Sequence, residues 1–400
     1  MQLGPLPDAP LGVAVSGGGD SVALLLLLHK AGYKLRAATV DHRLRPEAAT
    51  EALGVGQLCE KLKVPHDVLV WHEPDFKGNL QKAARDARRV LLAGWAEQHR
   101  LRHIVLGHTM EDQAETVLMR LARGSGVDGL AGMAAARRER GLTWHRPMLG
   151  LRRADLRSYL QGLGVGWVDD PSNDDLKFDR VKARQALEIL APLGLGCDRL
   201  TETARHMRRA RAGLEAATLD LAKKCSTVSA AGELTLLDFE DAPREVQLRL
   251  LAGALGWISG ASYRPRFAAL EGLLDSCLSG VPLGKTLHGC RIDRRNVEIV
   301  INREVSAIPN LGPIKPIWDN RWEIGLKNTK NLQIRALGED GLQYCKHWRD
   351  SGHSRAALMA SPSFWQGGQL QAAPMAYFGH IRGVKLSGGE KGFYDALITH

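Results

Sequence analysis

The feature that most constrains this chain is a six-residue segment, Ser16-Gly17-Gly18-Gly19-Asp20-Ser21, between two apolar runs. Residues 11–15 before it have the composition of a buried parallel strand, and residues 22–29 after it are long enough for a buried helix. The segment is therefore predicted to be a strand-to-helix turn. Its glycines permit positive φ angles and close approach of a ligand. Asp20 or Ser21 is predicted to cap the helix, whose free N–H groups form an anion site.

A phosphate group is the simplest occupant of this turn, but the two best-known phosphate loops do not match it. No Lys follows Gly19, as a P-loop requires, and Val22 stands where a dinucleotide fingerprint needs its last Gly. The segment resembles instead the S-G-G-x-D-S pyrophosphate loop of the N-type ATP pyrophosphatases, which cleave ATP between the α- and β-phosphates. The alternative is an ordinary glycine-rich turn, which does not require Ser first and Asp-Ser last.

Up to about residue 125, strand-like apolar runs alternate with helical patterns. Strands are predicted at residues 11–15, 35–40, 66–70 and 103–106, and helices at 21–31, 47–62, 80–98 and 111–123. This alternation predicts an α/β fold with a doubly wound parallel sheet, whose ligands bind at the carboxyl ends of the strands. The unusual polar segments fall at those ends: residues 16–21, Asp41-His42 and Gly107-His108.

The pattern changes after about residue 193. Residues 199–211, 244–257 and 264–278 are predicted helices, and residues 285–302 alternate like a hairpin that turns at 294–296. The last hundred residues, rich in Gly, Pro and Trp, predict short strands and loops. We expect a catalytic domain over residues 1–195, a mostly helical domain over 196–307 and a smaller, mixed and β-rich domain over 308–400.

Composition limits the setting of the protein. The formal net charge of +10 favours a polyanionic partner, although solubility alone would also explain it. The six cysteines form no C-x-x-C pair, which argues against a zinc knuckle, an iron–sulfur site or a disulfide framework and suits a reducing compartment. No signal peptide or membrane-length apolar run is recognised. We therefore expect a soluble, cytoplasmic protein with no membrane partner.

Two acids follow the predicted fourth strand. Asp112 and Glu115 stand three residues apart, so they share one face of the predicted helix. Their place near the positive end of that helix favours the ionised form. A pair of ionised acids suits a cationic or amine-bearing substrate, or a metal ion. The alternative is helix capping and solvation, but the shared sheet edge with the phosphate loop favours a site.

Three more residues at the strand ends are candidates for the site. His108 either orients a phosphate or carries a proton near pH 7, unless it is a hydrogen-bonded structural residue. Asp41 and His42 are predicted to hold the nucleoside part of ATP, with the arginines that follow reaching its phosphates.

Taken in order, these motifs resemble the tRNA(Ile)-lysidine synthase family. The matching segments cover most of residues 11–185, and the last hundred residues match more loosely. They are residues 16–21, Val40-Asp41-His42-Arg43-Leu44-Arg45, Gly78-Asn79-Leu80, residues 107–116, Arg146-Pro147-Met148-Leu149, and Asp169-Asp170-Pro171-Ser172-Asn173 with Arg180 and Arg184.

The resemblance implies a ligase that joins L-lysine to C2 of the wobble cytidine, position 34, in the isoleucine tRNA with a CAU anticodon. ATP adenylates the cytidine and pyrophosphate leaves; the lysine amine then attacks C2 and AMP departs. The product reads AUA instead of AUG and carries isoleucine identity instead of methionine.

The resemblance also implies roles for individual residues. Residues 16–21 cradle the pyrophosphate, and Asp20 helps to place Mg²⁺. Asp112, Glu115 and Arg180 hold lysine: acids suit its ammonium groups, and an arginine fork suits its carboxylate. Glu111 stands where the family often has a second Asp, and it receives no role.

Several arginine groups are candidates for contact with tRNA, although each also fits a solvated surface. The two C-terminal domains are expected to bind the tRNA, and a homodimer is left open. The groups are Arg199, Arg205, Arg208, Arg209 and Arg211; Arg137, Arg138, Arg140, Arg152, Arg153 and Arg157; and the helical stripe Arg85, Arg88 and Arg89.

Three other functions remain as alternatives. A tRNA cytidine thiolase on the same ATP loop would normally need paired cysteines or an iron–sulfur cluster, and Cys59 stands alone in the catalytic half. An ammonia-using amidating synthetase would leave the basic patches unexplained. A non-catalytic RNA-binding protein would not need the intact loop and both acids.

Overall fold

The computed structural model of the chain describes residues 3–43, 48–72, 80–168, 177, 179–261, 263–326 and 331–398, with the backbone alone for residues 80–82. The chain divides into two compact units, residues 1–211 and 212–399. The boundary between them falls inside one long helix, Cys197–Cys225.

The first unit is built on a six-stranded sheet. Its order is β3-β2-β1-β4-β6-β5, and every neighbouring pair is parallel except β5–β6. The predicted doubly wound parallel sheet is therefore confirmed, and the β5–β6 hairpin adds an antiparallel edge that was not predicted. The strands are β1 (Leu11–Ala14), β2 (Leu35–Asp41), β3 (His66–Val70), β4 (His103–Val105), β5 (Ala136–Glu139) and β6 (Leu142–His145).

Helices cover both faces of this sheet. Leu24, Cys59 and Leu156 pack on one face, while Leu92 and Trp95 pack on the other. The central strands are buried on both sides, which explains their continuous apolar sequence. The helices of the unit are α1 (Gly19–Lys30), α2 (Ala48–Lys61), α3 (Leu80–Gln98), α4 (Met110–Leu121), α5 (Val127–Leu130), α6 (Arg153–Gly162), α7 (Asp179–Leu190), a 3-10 turn (Ala191–Leu193) and the first part of α8 (Cys197–Cys225).

The winding of the sheet fixes where a ligand binds. The chain runs outward from β1 through β2 to β3, and then crosses back to place β4 on the other side of β1. The direction of winding thus reverses between β1 and β4, and in sheets of this kind the ligand crevice lies at the carboxyl ends of the strands that flank such a reversal. Residues 16–21 leave β1 and residues 107–109 follow β4, so both segments flank this crevice.

The second unit contains three antiparallel sheets, ordered β7-β8-β11-β10-β9, β12-β15-β16-β17 and β13-β14-β18. The C-terminal antiparallel sheets agree with the expectation of a β-rich end. Its strands are β7 (Ser226–Val228), β8 (Leu234–Leu236), β9 (Gly284–Leu287), β10 (Cys290–Arg295), β11 (Glu298–Arg303), β12 (Gly312–Pro313), β13 (Ile317–Trp318), β14 (Trp322–Ile324), β15 (Gln333–Ala336), β16 (Pro362–Gln366), β17 (Gln369–Ala372) and β18 (Val384–Leu386). Its helices are the rest of α8, α9 (Arg244–Ser259), α10 (Phe267–Leu278), α11 (Gly338–Leu342), α12 (Arg355–Ala360) and α13 (Gly389–Ile398), with 3-10 turns at Val305–Ala307, Trp348–Ser351 and Pro374–Ala376.

The hairpin predicted over residues 285–302 is confirmed only in part. β10 and β11 do form a hairpin, but it turns at residues 296–297. Residues 284–287 are a separate strand, β9, which reaches β10 through His288 and Gly289. Both turn residues have positive φ angles, 58° and 71°, as a tight type I′ turn requires.

The last helix, α13, belongs to the same hydrophobic core as α9 and α10. Phe393 and Leu397 of α13 are buried with Leu251 of α9 and Leu274 of α10. The expected domain boundary between residues 307 and 308 remains a prediction. Among the described residues, no helix is both long and apolar enough to cross a membrane.

Candidate active site

The loop between β1 and α1 is held closed by its two serines. The Ser21 hydroxyl donates to the Gly18 carbonyl oxygen at 2.9 Å and accepts the Ser16 backbone N–H at 3.1 Å. Gly17 has a φ of +88°, a left-handed conformation that favours glycine. The loop therefore has the backbone conformation that its sequence predicts.

The predicted cap of α1 is wrong. The helix begins at Gly19, and Gly18, which has no side chain, is its N-cap. Ser21 and Asp20 lie inside the first turn, where their side chains make other contacts. No side chain caps this end, so the N–H groups of Gly19 and Asp20 are not used by a cap and suit an anion, whereas the Ser21 N–H donates to the Gly18 carbonyl oxygen.

A glycine brings the two sides of the crevice together. A Cβ atom on Gly107, just after β4, would lie 3.2 Å from the backbone C and O atoms of Asp20 and from Cα of Ser21. Backbone atoms cannot yield as a flexible side chain can. Gly107 therefore allows the segment after β4 to lie directly against the phosphate loop.

The two predicted acids are buried at the start of α4. The Asp112 carboxylate accepts the Thr109 backbone N–H at 2.8 Å and the Thr109 hydroxyl at 3.1 Å. Asp112 is only 8% exposed and Glu115 only 1%. Asp112 thus helps to cap the helix, but simple solvation does not describe either acid.

Two arginines of α7 face these acids. Arg180 lies 3.8 Å from an Asp112 oxygen and 4.0 Å from a Glu115 oxygen. Arg184 donates from Nε to Glu115 at 3.2 Å. The family resemblance implies no role for Arg184, but its i, i+4 spacing from Arg180 places both side chains on one face of α7 and is the sequence signal for a shared partner.

A third arginine, Arg153, joins the acids to the phosphate loop. Its Nε donates to Asp20 Oδ2 at 3.0 Å, and its Nη2 lies 3.7 Å from Asp112 Oδ2. The side chain is 20% exposed. The prediction that Arg153 belongs to a surface patch is therefore wrong. The sequence around Arg153 gives no sign of its partners Asp20 and Asp112. The six residues Asp20, Asp112, Glu115, Arg153, Arg180 and Arg184 are called the acid–arginine cluster below.

Glu111 also has a place in this arrangement. Both of its carboxylate oxygens accept the Arg153 backbone N–H, at 3.0 and 3.1 Å. Arg153 is the first residue of α6, so Glu111 satisfies a free N–H group at the positive end of that helix.

Burial and charge act in opposite directions on the acids. Burial raises the pKa of Glu115, and Asp112 raises it further, against the three arginines of the cluster. Burial raises the pKa of Asp20 as well, although Arg153 opposes the shift. For Asp112 burial is outweighed: His108, Arg180 and the Thr109 N–H hold its pKa below the usual range.

His108 is uncharged at neutral pH. Burial is the main cause that lowers its pKa to about 4, and nearby arginines, including Arg146 and Arg180, lower it against the pull of Asp112. Its Nδ1 atom is buried without a hydrogen-bond partner among the described residues. The interpretation of His108 as a satisfied structural residue is not supported at this nitrogen.

The end of β2 contributes Asp41 and His42. The Asp41 carboxylate accepts the Arg43 backbone N–H at 2.8 Å, and the His42 ring meets Trp71 edge-on at 6.0 Å. Burial and the charge of Arg88 lower the pKa of His42, and Arg88 also lowers that of His108. The charge of Arg88, one of the arginines of the predicted helical stripe, therefore influences two histidines of the site. The motif residues 44–45, 78–79 and 169–173 lie outside the described part of the chain.

Comparisons with known proteins agree with this geometry. Residues 2–190 match the family model described as a PP-loop domain. The tRNA(Ile)-lysidine synthase of Ruegeria pomeroyi is 43% identical over all of this chain and 96% of its own length. The enzymes of the same name from Rhizobium meliloti and Wolbachia pipientis are 38% and 35% identical, over 85% and 80% of this chain and 78% of each relative. A PP-loop crevice and full-length similarity lead to one conclusion: the chain belongs to the tRNA(Ile)-lysidine synthase family of ATP-dependent enzymes.

Proposed function

We propose that this protein joins free L-lysine to C2 of cytidine 34 in the isoleucine tRNA whose anticodon is CAU. The cytidine O2 attacks the α-phosphorus of ATP, which gives an adenylated cytidine and releases pyrophosphate. The lysine ε-amine then attacks C2, and AMP leaves. The modified tRNA reads AUA instead of AUG and is recognised as an isoleucine tRNA instead of a methionine tRNA.

The placement of two buried acids beside the phosphate loop carries this proposal. Asp112 and Glu115 offer two carboxylates to the two ammonium groups of lysine, whereas ammonia would need no such pair. Arg180 is the proposed partner of the lysine carboxylate, since a guanidinium pairs with a carboxylate through two parallel hydrogen bonds. Holding the amine next to the activated base lowers the entropic part of the barrier.

The phosphate side of the site fits ATP with Mg²⁺. Residues 16–21 and the start of α1 are proposed to hold the pyrophosphate part of ATP. Asp20 offers a carboxylate oxygen, and Mg²⁺ is commonly bound by one or two carboxylates together with substrate phosphates. When bound, the ion would neutralise charge on the phosphates.

The neutral state of His108 narrows its role. With a pKa of about 4 it carries no charge at pH 7, so it would not attract a phosphate electrostatically. The same low pKa argues against the predicted role as a proton carrier near pH 7, and the unpartnered Nδ1 is free to form a hydrogen bond with a substrate. Asp41 and His42, one strand away, are the proposed contacts of the nucleoside.

The tRNA side of the proposal rests on exposed arginines of α8. Arg205 and Arg209 are exposed and one helical turn apart, whereas Arg208 is partly occupied by the Met133 carbonyl oxygen at 3.5 Å. We propose that Arg205, Arg209 and the second unit contact tRNA phosphates.

A thiolase would need a reactive sulfur. The first unit contains two cysteines, and Cys197 is half-buried, with a thiol pKa that burial and Glu111 raise. Cys59 is fully buried, and burial raises the pKa of its thiol to about 11. A thiol in that state is unreactive.

Labelled lysine tests the proposal directly. Purified protein, ATP, Mg²⁺ and the CAU transcript should incorporate lysine into tRNA and release equal amounts of AMP and pyrophosphate. A transcript with uridine at position 34 is the control and should remain unlabelled. Release of ADP would overturn the loop assignment, and label in the control transcript would overturn the target base.

A further inference from the structure

Arg153 sits between two acids that the proposed function assigns to different substrates. Its Nε contacts Asp20, on the ATP side, and its Nη2 faces Asp112, on the lysine side, at 3.0 and 3.7 Å. One guanidinium therefore neutralises a carboxylate of each half-site. Neither binding of a phosphate by the loop nor binding of an amine by the acid pair requires a guanidinium between Asp20 and Asp112.

Two sets of hydrogen bonds hold the backbone at Arg153. Glu111 accepts the Arg153 N–H with both oxygens, and the Met110 N–H donates to the Leu151 carbonyl oxygen at 3.0 Å. The first turn of α4 thus holds the residues at the start of α6. The backbone of Arg153 is therefore fixed, and the rotamer of its side chain determines which anion the guanidinium contacts.

The positions of charge create a competition. Mg²⁺ at Asp20 and an ammonium group at Asp112 must each approach a carboxylate that already faces the Arg153 cation. Like charges a few ångströms apart repel strongly in a partly buried site. Both substrates can be seated only if Arg153 leaves at least one of its acids.

The phosphates of ATP are the anions to which the guanidinium would turn. Arginine binds phosphate through the same two-pronged geometry that it uses for carboxylate. ATP binding would thereby remove the competing cation from Asp112 and open that acid to lysine.

On the basis of the proposed function, we infer that Arg153 is a positioning residue that couples the two half-sites. Arg153 pairs with Asp20 and faces Asp112, and it exchanges these acids for phosphate oxygens when ATP binds. Lysine therefore binds more tightly after ATP than before it.

Calorimetric titration of lysine tests this coupling without turnover. The titration is done on the full chain with Mg²⁺, with and without α,β-methylene ATP, which cannot be cleaved between those phosphates. The wild-type protein should bind lysine roughly tenfold more tightly with the analogue, a ratio within the usual range for coupled sites. In Arg153→Gln the ratio should approach one, because lysine binding without the analogue becomes tighter.

Two further variants separate coupling from folding. Arg153→Lys keeps the charge and should keep part of the ratio, even if Arg153→Gln proves unstable. Arg102→Gln, at an exposed arginine outside the acid–arginine cluster and outside the candidate tRNA groups, should leave the ratio at its wild-type value.

The outcomes distinguish the two proposals. A wild-type ratio in Arg153→Gln, in protein that binds lysine and ATP, overturns the coupling and leaves the proposed function intact. A wild-type protein that binds the analogue but never lysine overturns both.

Discussion

At the scale of single residues, the site is a balance of charge. The acid–arginine cluster contains three carboxylates and three guanidinium groups within ion-pair distance of one another. Removing one partner of a buried pair leaves the other uncompensated, which costs more than the pair contributes when intact. Substitutions in the cluster should therefore keep the shape of the side chain while changing its charge.

Asp112→Asn is such a change. Asparagine keeps an oxygen for the Thr109 N–H, so the cap of α4 is retained, but it loses the charge that would hold an ammonium group. We expect the KM for lysine to rise about 10- to 100-fold, from the loss of one charged hydrogen bond, while the KM for ATP changes little. Steady-state kinetics measures both constants. Glu60→Gln, on the exposed side of α2, is the control; equal increases in both constants would contradict the assignment of Asp112 to lysine.

His108 gives a prediction for stability against pH. Its pKa is about 4 in the folded protein and about 6.5 when unfolded. The unfolded chain therefore binds the additional proton between these values, so stability is complete above pH 6.5 and falls as the pH drops toward 4. The loss between pH 7 and pH 5 should be about 2 kcal/mol for this residue.

Urea unfolding of the wild type and of His108→Gln at both pH values measures that loss by difference. Other histidines whose pKa is lowered by burial, including His66 and His145, titrate in both proteins, so their contributions cancel. The same pH dependence in the two proteins would show that His108 is not the group responsible.

At the scale of elements, the site depends on how closely the segment after β4 lies against the loop after β1. Gly107 makes this approach possible. Gly107→Ala should push the loop from its place and raise the KM for ATP by about tenfold, since small misplacements at a reacting centre have large effects. Unfolding stability should fall as well.

Gly94→Ala is the matched control for Gly107→Ala. Gly94 lies inside α3 with nothing within 4 Å of a built Cβ atom. Alanine there should leave the KM for ATP unchanged and stabilise the helix by about 0.5–1 kcal/mol. If both variants behave alike, close packing at Gly107 is not what positions the loop.

The elements of the first unit were predictable because their sequences repeat simple patterns. β3 was predicted with the observed bounds, and β1 and α1 to within two residues. The β5–β6 hairpin was missed because its outer strand is an exposed, arginine-rich edge without apolar alternation. The shared helix face of Asp112 and Glu115 was predictable from local spacing, whereas the contact of Arg153 with Asp20 joins residues 133 positions apart in sequence.

At the scale of the whole molecule, the second unit is held together across its length. Arg303 of β11 forms a buried, two-pronged pair with Asp319, at 3.0 and 3.1 Å. Phe393 of α13 is fully buried against the ring of Trp257, at 5.7 Å between centroids. The core formed around α9 and α10 therefore includes α13, the last helix.

Phe393→Ala should destabilise the second unit by about 3–5 kcal/mol, because it opens a cavity in a packed core. Differential scanning calorimetry measures this loss. We expect tRNA binding to weaken while binding of the ATP analogue to the first unit remains. Ile398→Ala, at a side chain that is 46% exposed, is the control and should have little effect. Equal loss of tRNA and ATP binding would show that the first unit needs the second to fold.

The position of the unit boundary has a consequence for dissecting the protein. Proteases cut extended segments that fit their active-site clefts, and they act mainly at exposed loops and termini. Residues 211 and 212 lie within the continuous helix Cys197–Cys225. Mild digestion should therefore yield no pair of fragments that meet at this point. Cuts between residues 16–21 and α13 are expected inside one unit or the other, and not at the boundary between them.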